Sequence, residues 1–349
     1  MLNPKDDIGF LLIKGEKIMK RRPEGSMSIE KALVGYFNFK SAEGLSEKTL
    51  ESYDLILKRW IKCIGNIDVN EVSKLDITSH LSYLRNKYIP DRITGNRNKL
   101  SPKTIRNVWI TLSSFFTWAS NEFEITNPMI GIPAPKYTKK VIVPFDKENI
   151  ESLLKACKFT RVANTKIRKK YVMFRFTALR DRAIILFLLD TGLRSSEFCS
   201  LRIKDVDIRI GRVLVRHGQE GGAKGGMGRQ VFIGKACRHA VWRYLAERED
   251  GENIDAPLFA GKSERKYTPD ALRHLVKRIA EKANIENAYP HRFRHTFAIT
   301  FLRSGGDVFT LQALLGHNSL DMVRHYSQIA CIDIEKAHQK ASPVDNWKL

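Results

Sequence analysis

The sequence predicts a mainly α fold with a small antiparallel β-sheet, arranged as an all-α first domain and an α+β second one. Three observations predict it. Apolar residues recur at spacings of three and four over residues 28–124, with few strand signals. Residues 127–137, with Pro128, Pro133 and Pro135, then read as an extended linker. Beyond it, short β-like runs at 206–210, 213–215 and 230–233 interrupt further helical stretches. A chain of 349 residues can bury two cores. The expected divisions are an N-terminal arm at 1–27, a helical domain at 28–126, a linker at 127–142 and a second domain at 143–349.

Each element has a local reason. Ser28 can cap a helix whose apolar face includes Ile29, Leu33 and Phe37. Ser46-Glu47-Lys48 opens a longer one along Leu50, Tyr53, Leu57 and Trp60, and a third covers about 75–88. Ser101-Pro102 supplies a cap with proline at the first helical position, ahead of Ile105, Trp109, Leu112 and Phe116. After the linker, residues 146–157 and 179–193 read as helices, and Thr268-Pro269 repeats the cap-and-proline signal. Gly211 marks the turn after the first β run.

Charge limits the partners. The chain carries 60 Lys and Arg against 38 Asp and Glu, a net charge of +22. Both parts share the excess, with 23 cations against 15 anions up to residue 140 and 37 against 23 beyond it. A polyanion touching both domains fits this distribution better than a basic tail would. Residues 158–175 hold seven cations and no acid, either a solvated loop or a DNA-facing insertion, and the overall charge favours the second. Lys166, Arg168, Lys169 and Lys170 within it, with Lys103, Arg106 and Arg229 elsewhere, are the cations expected to face DNA. The five cysteines lie far apart with no C-x-x-C pair, which supports neither a zinc cage nor a disulfide framework and suits a reducing cytoplasm. No apolar stretch is long enough to span a bilayer, and Lys5-Asp6-Asp7 does not make a secretory leader.

Four segments carry chemistry. In Thr191-Gly192-Leu193-Arg194-Ser195-Ser196-Glu197, one helix stops near Gly192 and another starts after Arg194. Alone, Arg194 reads as a helix-end cation and Glu197 as a first-turn acid. The glycine-rich stretch 218–229 places Lys224 between two β runs, as a turn lysine or a lysine placed to enter a groove. It is no P-loop, because Ala223 precedes the lysine, Gly225 follows it and a strand comes next. In His291-Arg292-Phe293-Arg294-His295, His291 and Arg294 share a helix face. His291 and His295 have zinc spacing, but Arg292 stands where a metalloprotease has glutamate and opposes a cation electrostatically, so His295 is expected to cap or pack in the core. In Leu314-Leu315-Gly316-His317-Asn318-Ser319, His317 falls in a turn, and Tyr326 follows nine residues later. A lone helical tyrosine reads as a core or rim aromatic.

Taken together and in this order, the segments resemble the tyrosine recombinase (phage integrase) family: T-G-x-R-x-x-E-x-x-x-L, a hairpin lysine, H-x-x-R-H, then L-G-H with tyrosine nine residues on. Every position holds the family residue, and the helical first domain and linker resemble the family's all-α, SAM-like core-binding domain ahead of its α+β catalytic domain. The resemblance implies that Tyr326 attacks a DNA phosphodiester, leaving a 3′-phosphotyrosine and a free 5′-hydroxyl. It implies that Arg194 and Arg294 hold the non-bridging oxygens, Lys224 protonates the leaving oxygen, His291 accepts or relays the tyrosine proton and His317 donates to the phosphate. Glu197 supports them from behind. No cofactor or metal is implied. The implied partners are double-stranded DNA with inverted-repeat core sites, a homotetramer on two duplexes, an accessory DNA-bending or directionality factor, and no membrane. Residues 334–339 are the expected helix passed to the next protomer, and the expected location is the cytoplasm, on the nucleoid. The 27 residues ahead of the first helix are too few for a separate arm-binding domain, which suggests a simple Xer-like or mobile-element type. The rival readings are a type IB topoisomerase and a catalytically idle DNA-binding protein. The core-binding domain and the exchange helix argue against the first, and Tyr326 with all its helpers against the second.

Overall fold

A computed structural model of the chain describes residues 27–92, 95–138, 142–159, 173–216, 228–261 and 265–316, with Ser342 and Val344. Lys166, Arg168, Lys169, Lys170, Lys224, His317, Tyr326 and the helix expected at 334–339 lie outside the described residues, as does nearly all of the expected arm. The chain divides into two compact units, residues 1–140 and 141–349.

The first unit is built from α1 (Ile29–Ala42), α2 (Glu47–Ile64), α3 (Lys74–Asn86) and α4 (Pro102–Glu122). Local chemistry sets their starts. Ser28 and Ser101 accept from the backbone N–H groups of Lys31 and Thr104, and Pro102 opens α4. Ser73 and Asp76 form a reciprocal capping box on α3. The core between the helices is aromatic. Trp60 meets Phe116 edge-on at 5.5 Å and Tyr36 meets Phe115 at 5.4 Å, all four fully buried. Tyr36 continues the Ile29, Leu33 spacing into the core with half-buried Phe37 packed beside it, and its hydroxyl donates to Ser114 at 2.8 Å. The stretch expected as an extended linker begins inside this core. Met129 and Ile132 are buried there, and Trp109 donates to the Ile132 carbonyl at 3.2 Å.

The second unit contains α5 (Lys147–Lys158), α6 (Ala178–Thr191), α7 (Ser195–Ser200), β1 (Val206–Asp207), β2 (Arg212–Val215), β3 (Arg229–Phe232), α8 (Lys235–Ala246), α9 (Pro269–Lys282), α10 (Pro290–Arg303) and α11 (Val308–Leu315). Helix α6 packs against α5, α8 and α10, which is why its apolar residues do not keep to one face. The strands form an antiparallel sheet in the order β1-β2-β3, with Val213 opposite Val206 and Val231. Val213, Val215 and Val231 face the core while Leu214 and Phe232 face out. Strand β1 is shorter than the run at 206–210 suggests. The Asp207 carboxylate accepts from the backbone N–H groups of Arg209 and Ile210, so a turn replaces the rest of the strand.

Candidate active site

The site lies where helix ends meet. Helices α6 and α11 both terminate in a left-handed glycine, Gly192 (φ 59°) and Gly316 (φ 63°). Both positions also lack room: an added Cβ would lie 2.6 Å from the Phe297 ring at Gly192 and 2.9 Å from the Arg229 guanidinium at Gly316. Helix ends leave carbonyls without intrahelical partners. Arginines take them here. Arg294, 1% exposed, donates to the carbonyls of Gly192 at 2.9 Å and Leu315 at 2.8 Å. Arg194 donates to the Gly316 carbonyl at 2.9 Å, and Arg229 to that of Leu314 at 2.7 Å. Cations at helix C-termini also complement the helix dipole.

A single carboxylate joins two of these arginines. Glu197 is fully buried in the first turn of α7. One oxygen accepts from Arg194 at 2.8 Å and Arg229 at 3.0 Å; the other accepts from Arg229 at 2.8 Å and the Arg194 backbone N–H at 2.9 Å. Burial alone would raise its pKa, but the hydrogen bonds and charge of Arg229, with the bonds from Arg194, outweigh it and hold the carboxyl below its usual range. Two guanidinium groups thus share one buried carboxylate, with Arg294 on the neighbouring helix-end carbonyls, leaving the cluster cationic. The Arg194 side chain, 30% exposed, is its opening to solvent.

His291 sits at the exposed start of α10, one turn before Arg294. Desolvation, then the charges of Arg294 and Arg194, lower its pKa and favour the neutral imidazole. Its ring meets that of buried His295 edge-on at 4.6 Å. A fixed cation open to solvent beside a neutral imidazole can bind an oxyanion and accept a proton. No group of three or more His, Cys, Asp or Glu suited to a metal ion occurs among the described residues.

Of the residues singled out by sequence, Arg194, Glu197, His291 and Arg294 come together here. Arg229 is revised. Expected to face DNA, its side chain is only 11% exposed and each of its guanidinium nitrogens donates to Glu197 or Leu314. The buried carboxylate draws it inward. In the first unit, Lys103 is exposed in the first turn of α4. Arg106 is half-buried, donating to the Pro135 carbonyl at 3.1 Å with its guanidinium 5.6 Å from the Tyr137 ring. Sequence reasoning also missed Arg216, whose fork on Asp205 joins residues eleven apart and has no local signature.

A desolvated cationic cluster with one arginine open to solvent suits an oxyanion. The chain belongs to the phage integrase family, which it matches over residues 144–331, and is therefore an enzyme of the tyrosine recombinase class. It is 29% identical over 322 residues to the tyrosine recombinase XerC of Staphylococcus saprophyticus, covering 90% of this chain and 98% of that protein. It is 28% identical over 301 residues to the tyrosine recombinase XerA of Saccharolobus solfataricus, covering 85% and 88%. Among solved structures, the Tn1549 transposon integrase in complex with transposon right end DNA shares the fold, with a TM-score of 0.67, 20% identity and coverage of 90% and 99%.

Proposed function

We propose that this recombinase cleaves and rejoins DNA at specific sites through a covalent bond to Tyr326. The Tyr326 oxygen attacks the scissile phosphorus, and the bond to the 5′-oxygen breaks. The DNA 3′-phosphate stays on the tyrosine while the downstream segment of the same strand leaves with a 5′-hydroxyl. The phenol proton passes to His291, and Lys224 supplies a proton to the departing oxygen. A 5′-hydroxyl from a second duplex then reverses these steps. The phosphotyrosyl bond conserves the energy of the phosphodiester, so rejoining needs no nucleotide.

One observation carries the reading: Arg194 is the solvent-facing member of a buried guanidinium cluster, locked by Glu197 and the Gly316 carbonyl. Donors fixed before the reaction stabilise charge as it develops on phosphorus, and removing one typically costs about 10²–10³ in rate. Arg294, 1% exposed with two nitrogens on the Gly192 and Leu315 carbonyls, supports the cluster from within in place of the phosphate contact that the resemblance implies for it, and His317, next in the chain to Gly316, donates to the phosphate. A free phenol titrates at about 10, so Tyr326 needs a proton acceptor at neutral pH; the lowered pKa of His291 suits it to the task.

In this reading residues 28–126 form the core-binding domain and 143–349 the catalytic domain, and both contact duplex DNA. Four protomers act on two duplexes with inverted-repeat core sites, joined through residues 334–339, with an accessory DNA-bending or directionality factor as a further partner. The reaction serves integration or excision of a mobile element, or resolution of chromosome or plasmid dimers, in the cytoplasm on the nucleoid.

The test is covalent trapping on a nicked suicide substrate made from the DNA flanking the native gene. Wild type should give a shifted protein–DNA band on a denaturing gel, and Tyr326→Phe should give none while still binding the DNA. A band that persists in Tyr326→Phe would remove that residue from the reaction.

A further inference from the structure

We propose that Arg292 is a positioning residue of strand cleavage: with Thr296 it fastens the first turn of α10, and so His291, to residues 143–145. The inference rests on the recombinase reading above, in which His291 takes the tyrosine proton. His291 is the second residue of α10, and the helix opens without a side-chain cap. Tyr289 at the N-cap makes no side-chain hydrogen bond, and Pro290 has no N–H to give. The turn is held from outside the helix instead. Arg292 Nε donates to the Val143 carbonyl at 3.0 Å and its Nη1 to the Glu286 carbonyl at 2.9 Å. Its guanidinium lies 4.0 Å from the centre of the Phe145 ring. One turn on, the Thr296 hydroxyl accepts from the Phe145 N–H at 2.9 Å and donates to the Arg292 carbonyl at 2.9 Å.

These contacts bracket the part of α10 that carries His291. Arg292 is its chain neighbour, and Thr296 follows His295, whose ring meets the His291 ring edge-on at 4.6 Å. Phe145, 5% exposed, meets both the Arg292 guanidinium and, at 4.7 Å, the ring of fully buried Phe293. A planar fork can reach two carbonyls and lie on an aromatic ring at once, whereas a lysine presents one compact charge. These bonds go to backbone carbonyls, so the part they give Arg292 is to place the helix. Position matters because a proton acceptor must come within about 2.6–3.2 Å of the group it deprotonates. A displacement of about 1 Å can cost about 10²-fold in rate.

The test is a double-mutant cycle in single-turnover cleavage of the suicide substrate. Arg292→Ala is measured in wild type and in His291→Ala, with DNA affinity and thermal melting followed in parallel. Removing a proton acceptor costs about 10²–10⁴ in rate, which leaves His291→Ala slow but measurable as accumulated adduct. In wild type, Arg292→Ala should lose about 10-fold in cleavage rate with DNA affinity retained. In His291→Ala the same change should cost less than about twofold, because the residue it places is gone. Thr296→Val alters no charge and so no attraction for DNA; it should show the same pattern, with a loss of about fivefold in wild type. Equal losses in both backgrounds, or losses that track DNA affinity or melting, would make Arg292 a structural or DNA-contacting residue and overturn the proposal. Cleavage by Arg292→Ala within about twofold of wild type would overturn it too. If wild type forms no adduct that Tyr326→Phe abolishes, the recombinase reading fails first, and this inference falls with it.

Discussion

The two units of this chain are held together in different ways. Among the described residues, the first buries one carboxylate, Asp68, and no guanidinium, and its interior is an aromatic cluster around Trp60, Phe115 and Phe116. The second buries Asp181, Glu197, Asp205 and Arg294. Buried ion pairs are poor stabilisers, because desolvating the charges offsets most of their attraction. Apolar residues of similar size would fold as well. Under the proposed function the site holds phosphate and has no such option, since its cations have to be fixed before the substrate arrives. The difference teaches where this protein gives up stability for chemistry: around Glu197, and not around Trp60.

The strongest way to test that contrast is to neutralise a carboxylate in each unit. Glu197→Gln leaves Arg194 and Arg229 facing an uncharged amide, and should cost about 3–5 kcal/mol in denaturant unfolding. Asp54→Asn removes the partner of Lys58 in an exposed pair at 2.8 Å on α2, and should cost less than about 1 kcal/mol. Equal effects would mean that the guanidinium cluster does not depend on its carboxylate.

A smaller effect separates the units by pH. His80, 3% exposed on α3, is pushed down to about 4 by burial. In the unfolded chain it titrates near about 6.5. Between those values the unfolded state binds a proton that the folded state refuses, so stability rises with pH. It should therefore fall by about 3 kcal/mol on acidification through this window and be flat above it. Glu197, with its pKa lowered, contributes stability that is lost only at more acidic pH, as the carboxyl itself protonates. His291 adds a share of the same sign as His80. His80→Leu should flatten the slope of urea midpoints between pH 6.5 and 4.5; an unchanged slope would show that His80 is not held neutral.

Local features were legible in the sequence, and tertiary ones were not. The caps at Ser28, Ser101 and Thr268 and the glycines closing α6 and α11 depend on neighbours a few residues away, so their positions could be read directly. Arg194, Glu197, His291 and Arg294 were legible as a constellation because motif spacing records a site even when its members are distant in sequence. The helix-capping work of Arg294 was not legible, because its acceptors Gly192 and Leu315 lie 102 and 21 residues away. Arg229 was misjudged for the same reason: a cation beside a glycine-rich stretch reads as surface until Glu197, 32 residues distant, is placed beside it. The β run at 206–210 failed on a subtler point, the competition of the Asp207 side chain for backbone N–H groups.

The most direct measurement is the identity of the covalent bond itself. The trapped protein–DNA adduct would be digested with a protease and the DNA-bearing peptide sequenced by mass spectrometry, with the polarity of the attached strand read from its free end. Cleavage as proposed predicts a single adduct, Tyr326 bonded to the 3′-phosphate, with a 5′-hydroxyl on the released strand. Attachment at another residue, or through a 5′-phosphate, would contradict it.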